Sequence, residues 1–291
     1  MPGPIPSSAA DLERAAALVA VARRGVAFTG AGVSAESGIR TYRGQDGLWK
    51  EFDPYKVASI DYFRRDPSLY WEVASRGWRM RAQARPNPGH VALAALETDG
   101  HLAGVVTQNT DGLHREAGTK TLIELHGNGR TVRCLDCGAG EQRAAVQARL
   151  GRELPPRCET CGGIHIKPDV VFFGEALPAA ALAEAFRLAR RCDLMLVVGS
   201  SLQVYPAADV PRAAVERAVP LVIVNDEPTP LDAAAAVVIR GRSGEVLPEI
   251  VRRSSRPFRG TRPRLPGMVT GAQVDHVARD HGPAGDDQRP V

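Results

Sequence analysis

Four of the five cysteines stand in two pairs, Cys134-x-x-Cys137 and Cys158-x-x-Cys161, with twenty residues between the pairs. Two thiolate pairs at this spacing fold back on each other into a tetrahedral S₄ set, which is how Zn²⁺ is held in structural sites. Four thiolates leave no position for a catalytic water, so the expected metal is structural. A disulfide framework would need an oxidising compartment, and nothing near Met1 resembles a secretory signal; the cytoplasm is the expected setting. The fifth, Cys192, reads as a small buried hydrophobe.

A second constellation is Gly30-Ala31-Gly32-Val33-Ser34-Ala35, of the form G-x-G-x-x-A, directly after the apolar run Val26-Ala27-Phe28-Thr29. Glycines let backbone approach a pyrophosphate, and a helix start offers it unpaired N–H groups. A hydride-transferring dehydrogenase would also place an acidic residue about 20 positions on, at the end of a second strand. Residues 37–50 are instead a polar, glycine-containing loop, which weakens that reading. Two further polar clusters, Thr107-Gln108-Asn109-Thr110-Asp111 and Glu124-Leu125-His126-Gly127-Asn128, each follow a strand-like run. His126 is a general-base candidate, because an unperturbed imidazole titrates close to neutral pH.

The elements that must position these groups are legible as a pattern. Residues 11–24 have helical periodicity, with Asp11 as the expected N-cap. Residues 26–29, 102–107, 121–125, 194–198 and 221–224 read as strands, and 178–191 and 207–218 as helices. Strands alternating with helices predict an α/β fold with a doubly wound, Rossmann-like parallel sheet buried on both faces. Two stretches break the pattern: residues 54–88, aromatic-rich and expected to be helical, and 129–167, which hold the cysteines. The expected organisation is a catalytic domain over 11–251, with core segments 11–53, 89–128 and 168–251, a helical insertion at 54–88 and a zinc module at 129–167.

The formal net charge is +4, with 37 basic and 33 acidic residues. From Arg252 onward lie eight arginines and four aspartates, leaving 29 basic and 29 acidic residues in the body. A balanced body lacks the basic stripe of a nucleic-acid footprint, so no nucleic acid is expected on the folded domain. Residues 1–10 and the Arg/Pro/Gly-rich 254–291 are expected to be disordered tails. No apolar run approaches the ~18 residues of a membrane helix, and no membrane partner is expected.

At this point the chain resembles the sirtuin family. The resemblance rests on G-A-G-V-S-A-E-S-G-I at 30–39, T-Q-N-T-D-G-L-H at 107–114, E-L-H-G-N at 124–128, the four cysteines, K-P-D-V-V-F-F-G-E at 167–175, G-S-S-L-Q-V-Y-P at 199–206 and N-D-E at 225–227. It implies an NAD⁺-dependent protein lysine deacylase that consumes NAD⁺ as cosubstrate and carries one structural Zn²⁺. It also implies His126 and Asn109 as catalytic residues, His126 being the base on a ribose hydroxyl. Gln108, Asn109 and Asp111 would surround the nicotinamide ribose, while Gly30, Ala31, Gly32, Ser34, Tyr42 and Arg43 would line the cofactor loop. Gly199, Ser200, Ser201, Asn225 and Ser243 would meet the phosphate and adenosine side. Val170, Val171, Phe172, Phe173 and Gly174 would pair by backbone with an acyl-lysine peptide. The acyl oxygen would attack ribose C1′, nicotinamide would leave, and the activated hydroxyl would attack the imidate.

Within the family the motifs around 132–138, 77–78 and 199–205 resemble the class II, lipoamidase/ADP-ribosyltransferase-type branch. Arg40 stands where the family's loop carries proline. The Tyr-x-x-Arg pair of the succinyl-selective branch falls on Ala74 and Gly77, which cannot hold a carboxylate. Alternatives are a mono-ADP-ribosyltransferase or lipoamidase on the same scaffold and, of another class, a non-catalytic NAD⁺-sensing interaction module.

Overall fold

The apolar run at 26–29 becomes the strand around which the chain is wound. The computed structural model describes residues 8–44 and 47–255. The strands in chain order are β1 (Gly25–Thr29), β2 (Leu102–Thr107), β3 (Leu122–Glu124), β4 (Gly127–Cys134), β5 (Gly140–Gln142), β6 (Ile166–Val170), β7 (Met195–Val198), β8 (Leu221–Val224) and β9 (Val237–Ile239). Six of them form one parallel sheet in the order β3-β2-β1-β7-β8-β9. Beginning at the centre and growing first one way, then the other, leaves a crevice beside β1 at the carboxyl ends of the strands.

The helices are α1 (Ala9–Val21), four short ones, α2 (Pro54–Val57), α3 (Ile60–Arg65), α4 (Ser68–Arg76) and α5 (Trp78–Gln83), then α6 (Pro88–Thr98), α7 (Leu113–Glu116), α8 (Arg143–Arg149), α9 (Ala179–Arg191), α10 (Asp209–Val215) and α11 (Ser243–Ser254). Side chains alternate across the sheet, so each strand feeds two cores. Ala27, Val105, Leu196, Val198, Val222 and Val224 pack under α1, α6 and α11. Val26, Phe28, Val106, Met195, Val197, Leu221 and Ile223 pack under α9 and α10. Burial on both faces explains why these strands read as continuous apolar runs. The expected α/β doubly wound class is the observed one, and no strand lies between β1 and β2 among the described residues.

The ends of the domain differ from expectation. The N-cap is Ser8, not Asp11: Ser8 Oγ accepts from the Asp11 N–H at 3.1 Å, and the Asp11 carboxylate accepts from the Ser8 N–H at 3.2 Å. This reciprocal capping box satisfies two orphan donors and moves the N-cap back three residues. At the other end α11 runs on to Ser254, its apolar residues Leu247 and Ile250 buried under the sheet. Residues 8–10 and 254 are therefore helix-associated rather than tail. The remaining tail segments, 1–7 and 256–291, lie outside the described residues.

β4 pairs antiparallel with β5 and β6 to form a second, three-stranded sheet. Its apolar face shares a cluster with the short helices: Ile60, Phe63 and Trp71 pack with Val132, Cys134, Val146, Cys158, Ile166 and Phe172. Trp71 Nε1 donates to the Ile166 carbonyl at 3.0 Å. Arg143 at the start of α8 is buried, its guanidinium 5.0 Å from the Trp71 ring centroid, 5.6 Å from Tyr70 and 5.7 Å from Trp78. Those aromatic faces give the buried cation an electrostatic partner.

The four cysteine Sγ atoms lie within 4.8 Å of one another, with Cys134–Cys161 and Cys137–Cys158 both at 3.7 Å. A Zn–S bond of about 2.3 Å gives tetrahedral S···S edges of about 3.8 Å, so the donor set fits one structural zinc. It does not fit disulfides, whose sulfurs would be about 2.05 Å apart. Cys134 and Cys158 also belong to the apolar cluster that contains Trp71 and Phe172, so metal and core stabilise the same small lobe. Cys158→Ser is expected to lower zinc content below one per chain, lower the melting temperature and alter emission from buried Trp71. A metal-free variant that melts like wild type would contradict this coupling.

Candidate active site

The register of the parallel sheet sets the site. Thr29 pairs with Thr107 and Val198, Thr107 with Glu124, and Val198 with Val224, so these strands end on one level. The next residues, Gly30, Gln108, Gly199 and Asn225, therefore stand at the rim of the crevice, while Leu125 after β3 turns into the core. Sequence motifs far apart in the chain meet here because each follows a strand end.

The turn after β1 rests on the turn after β7. The Gly32 N–H donates to the Gly199 carbonyl at 2.8 Å, and the Gly30 N–H to the Val198 carbonyl at 3.1 Å. A Cβ on Gly30 would come within 2.7 Å of the Gly199 carbonyl oxygen, and one on Gly32 within 2.7 Å of Gly199 Cα. Gly199 has φ +58° and would clash with Val33 N in turn. The G-x-G form is thus required by backbone packing on a neighbouring turn. The chain continues as one short 3₁₀ segment over Ala31–Ser37, with Ser34 fully buried.

Ser34 is the hub of the polar network. Its Oγ donates to Asp111 Oδ2 at 2.7 Å and accepts from Asn109 Nδ2 at 3.1 Å. Asn109 Nδ2 also reaches the Gly30 carbonyl at 3.0 Å, and Asp111 Oδ1 accepts from the Leu113 N–H at 2.9 Å. Gln108 Nε2 donates to Ser200 Oγ at 2.8 Å, bridging the ends of β2 and β7. Ser34, Gln108, Asn109, Asp111, Gly30, Gly32, Gly199 and Ser200 are therefore brought together.

His126 is held at the join between the two sheets. Its Nδ1 lies 3.0 Å from the Gln108 carbonyl oxygen. A carbonyl can only accept, so Nδ1 carries the proton and Nε2 presents a lone pair. Burial pushes the His126 pKa below its ordinary value, and the bond to the Gln108 carbonyl opposes that shift. The ring is consequently neutral at pH 7. Its own carbonyl accepts from the Val171 N–H at 3.0 Å, tying the 170–174 segment to the imidazole-bearing backbone. Gly127 follows with φ +72°, and a Cβ there would lie 2.1 Å from the Asp169 carbonyl oxygen.

Other expected residues sit further out. Tyr42 stacks on Trp49 with centroids 5.1 Å apart and is 41% exposed; Arg43 is exposed beside it. Ser201 is half-buried next to Ser200. Asn225 lies at the end of β8, its Nδ2 donating to the Glu227 carbonyl at 2.7 Å. Ser243, buried at the start of α11, donates to Glu36 Oε2 at 3.2 Å. Val170 and Val171 are partly exposed and Gly174 is exposed, Phe172 is buried in the small lobe, and Phe173 meets Tyr55 at 5.2 Å and Trp49 at 6.5 Å.

Sequence reasoning passed over the two buried histidines beneath the site. His114 Nε2 meets Thr29 Oγ1 at 2.9 Å, and Thr29 Oγ1 donates to Thr107 Oγ1 at 2.8 Å. His90 lies 3.4 Å from Ser34 Oγ through Nε2 and accepts from the Asn87 N–H through Nδ1. The rings meet edge to face at 4.8 Å. Burial depresses both pKa values, that of His114 to about 3, with the neighbouring His90 adding to the effect. The motif at 107–114 contains His114, but nothing in its spacing says that its ring meets that of His90.

The linkage has a definite sign. Between pH 6.5 and about 3 the unfolded chain takes up a proton at residue 114 that the folded chain refuses, so stability falls as pH falls, by about 1.4 kcal/mol per pH unit for such a group. Denaturant melts of wild type and His114→Gln between pH 7 and 4 are expected to show a shallower fall in the variant. Identical slopes would remove His114 from the acid response.

The Sir2 family model matches residues 30–206. The chain is 46% identical over 246 residues to the NAD-dependent protein deacylase 2 of Archaeoglobus fulgidus, covering 84% of this chain and 97% of that protein. It is 50% identical to the NAD-dependent protein deacylase of Thermococcus kodakarensis, covering 83% and 95%. A solved Sir2 enzyme, described for its mechanism and regulation, superposes with a TM-score of 0.80 at 45% identity, covering 85% of this chain and 98% of that one. A Sir2 structure with p53 peptide and NAD⁺ superposes with a TM-score of 0.73 at 39% identity, covering 81% and 95%. A matched family model over more than half the chain, relatives near half identical along almost their whole length and the same parallel sheet together establish that this chain belongs to the Sir2 family.

Proposed function

We propose that the protein is an NAD⁺-dependent protein lysine deacylase that transfers the acyl group to ADP-ribose and releases nicotinamide. The observation that carries the reading is the buried His126 imidazole, its Nδ1 fixed on the Gln108 carbonyl, its pKa held below the ordinary value by burial, and its Nε2 without a hydrogen-bond partner among the described residues. A side chain held this way can take a proton from a ribose hydroxyl at neutral pH, which a binding module has no need to do. Asn109 and Asp111, locked by Ser34, hold the nicotinamide ribose end, and Gln108 with Ser200 spans towards the phosphates. Gly30, Ala31, Gly32, Tyr42 and Arg43 cover the cofactor, while Gly199, Ser201, Asn225 and Ser243 take its adenosine side. NAD⁺ is a substrate here: it supplies the ribose carbon that receives the acyl oxygen.

An extended acyl-lysine peptide is the partner we infer for the 170–174 segment. Among the described residues no backbone group pairs with the Val171 carbonyl or the Gly174 N–H, and both are available to a passing strand. The relatives named above are deacylases, and another solved neighbour carries a myristoylated histone peptide, which supports acylated peptides as the substrate class. The motifs at 132–138, 77–78 and 199–205 support placing the chain in the class II branch. None of the five cysteines is in a disulfide, which supports a reducing, cytoplasmic setting.

His126→Ala is expected to bind NAD⁺ and melt as wild type does, while kcat falls about 10²–10⁴-fold, the usual contribution of a positioned general base. In wild type, kcat should rise with pH through an apparent pKa below 6.5 and be flat above neutrality, since only the neutral ring accepts a proton. A variant that folds and deacylates within a few-fold of wild type would defeat the assignment. On acyl choice, Ala74 and Gly77 offer no side-chain donor, and the nearby Arg81 Nη2 is engaged by the Ala74 carbonyl at 3.0 Å. Acetyl or longer neutral acyl-lysine peptides should turn over faster than succinyl-lysine peptides; the reverse order would contradict this.

A further inference from the structure

Lys167 carries a charge where few lysines do. Its side chain is 8% exposed, yet Nζ lies 2.8 Å from Glu175 Oε2, donates to the Val170 carbonyl at 2.5 Å and to the Pro168 carbonyl at 3.2 Å. These three acceptors use all three ammonium donors. The cation also sits 4.5 Å from the Phe172 ring centroid. A buried ammonium is tolerable only when it is paired and fully hydrogen-bonded, and this one is both.

Glu175 completes the arrangement. The same Oε2 that faces Lys167 accepts from the Phe172 N–H at 2.8 Å, and the Glu175 N–H donates back to the Phe172 carbonyl at 3.0 Å. The 172–175 turn is therefore closed twice, with Gly174 at φ +89° inside it. Phe173 is fixed on the far side, its N–H on the Ala58 carbonyl at 2.8 Å and its carbonyl on the Ile60 N–H at 3.0 Å. The Val170, Phe172 and Phe173 carbonyls and the Val171, Phe172 and Phe173 N–H groups thus all have partners, and among the described residues none is found for the Val171 carbonyl or the Gly174 N–H. Neither Lys167 nor Glu175 hydrogen-bonds to Ser34, Gln108, Asn109, Asp111 or His126.

We propose that Lys167 and Glu175 form a latch that positions the 170–174 segment for peptide docking, and that they act on peptide affinity without taking part in cofactor binding or the chemical step. The inference rests on the acyl-peptide reading above. Without the ammonium, the Val170 carbonyl loses its donor and Glu175 loses its counter-charge, so the turn loosens. A strand-pairing surface that must first be ordered binds its partner more weakly, because the ordering entropy is then lost on binding.

The test uses the full chain with zinc bound. Lys167→Met, Lys167→Arg, Glu175→Gln and the double variant Lys167→Met/Glu175→Gln are compared with wild type. The measurements are Kd for a fluorescein-labelled acetyl-lysine peptide, KM for peptide, KM for NAD⁺, the pH profile of kcat and the melting temperature. Lys167→Met is expected to raise peptide Kd and KM about tenfold, which corresponds to about 1.4 kcal/mol. KM for NAD⁺ and the pH profile should stay as in wild type. Glu175→Gln should rise less, since its amide oxygen still accepts from Phe172, and Lys167→Arg should recover part of the loss. The double variant should be no worse than Lys167→Met, because the two residues act as one unit.

A folded Lys167→Met with peptide Kd and KM within twofold of wild type overturns the latch, as does a parallel rise in KM for NAD⁺. If Lys167→Met does not fold, Glu175→Gln decides on the same criteria. Wild type that neither binds nor turns over the acetyl peptide overturns the deacylase reading and the latch with it. Wild-type activity with unchanged variants overturns the latch alone.

Discussion

The turn after β1 and the turn after β7 lie backbone on backbone, and the rest of the site is arranged around that contact. Gly30 and Gly32 approach Gly199 so closely that no Cβ can enter from either side. This contact brings Ser34 under the ends of the strands, where it can bind Asn109 and Asp111. It also places Ser200 within reach of Gln108. Gln108 in turn offers the carbonyl that sets the His126 tautomer. A single packing constraint between two loops thus propagates, bond by bond, to the tautomer of His126, whose Nε2 lone pair is the base proposed above.

The polar floor beneath this contact is stabilised by refusing charge. His90 and His114 are buried, neutral and edge to face, and the threonine pair Thr29 and Thr107 connects the central strand to its neighbour. A hydrogen-bonded network in a low-dielectric interior is stiff when its members are satisfied and costly when one is not. His114 Nδ1 has no partner among the described residues, which fits an unprotonated nitrogen better than an N–H donor. The small lobe answers to a different physics. There four thiolates around a metal, an aromatic cluster and the caged Arg143 replace the large apolar area that a three-stranded sheet cannot bury alone.

The large sheet was legible because its strands are buried on both faces and therefore read as unbroken apolar runs. β2 and β8 fall on the residues where periodicity places them. The edge was not. β9 is three residues long and follows an alanine run, so it has neither the length nor the alternation of a strand. α11 carries Pro248 in its interior, which argues against a helix locally, yet its apolar face is held by α1 and α6. Asp11 precedes the apolar stripe and so reads as the cap, yet the box closes from Ser8 three residues earlier. In the site, strand ends and motif spacing point to His126, Gln108 and Asn109. The pairing of His90 with His114 and of Lys167 with Glu175 depends on contacts that spacing does not encode.

The central claim is that the crevice carries out acyl transfer to ADP-ribose, and product stoichiometry tests it most directly. Purified protein, NAD⁺ and an acetyl-lysine peptide are incubated, and nicotinamide, deacetylated peptide and acetyl-ADP-ribose are quantified by mass spectrometry. The account predicts equimolar release of all three, with no NADH formed. Nicotinamide release accompanied by ADP-ribosylated protein and an untouched acetyl-lysine, or NADH formation, would contradict it.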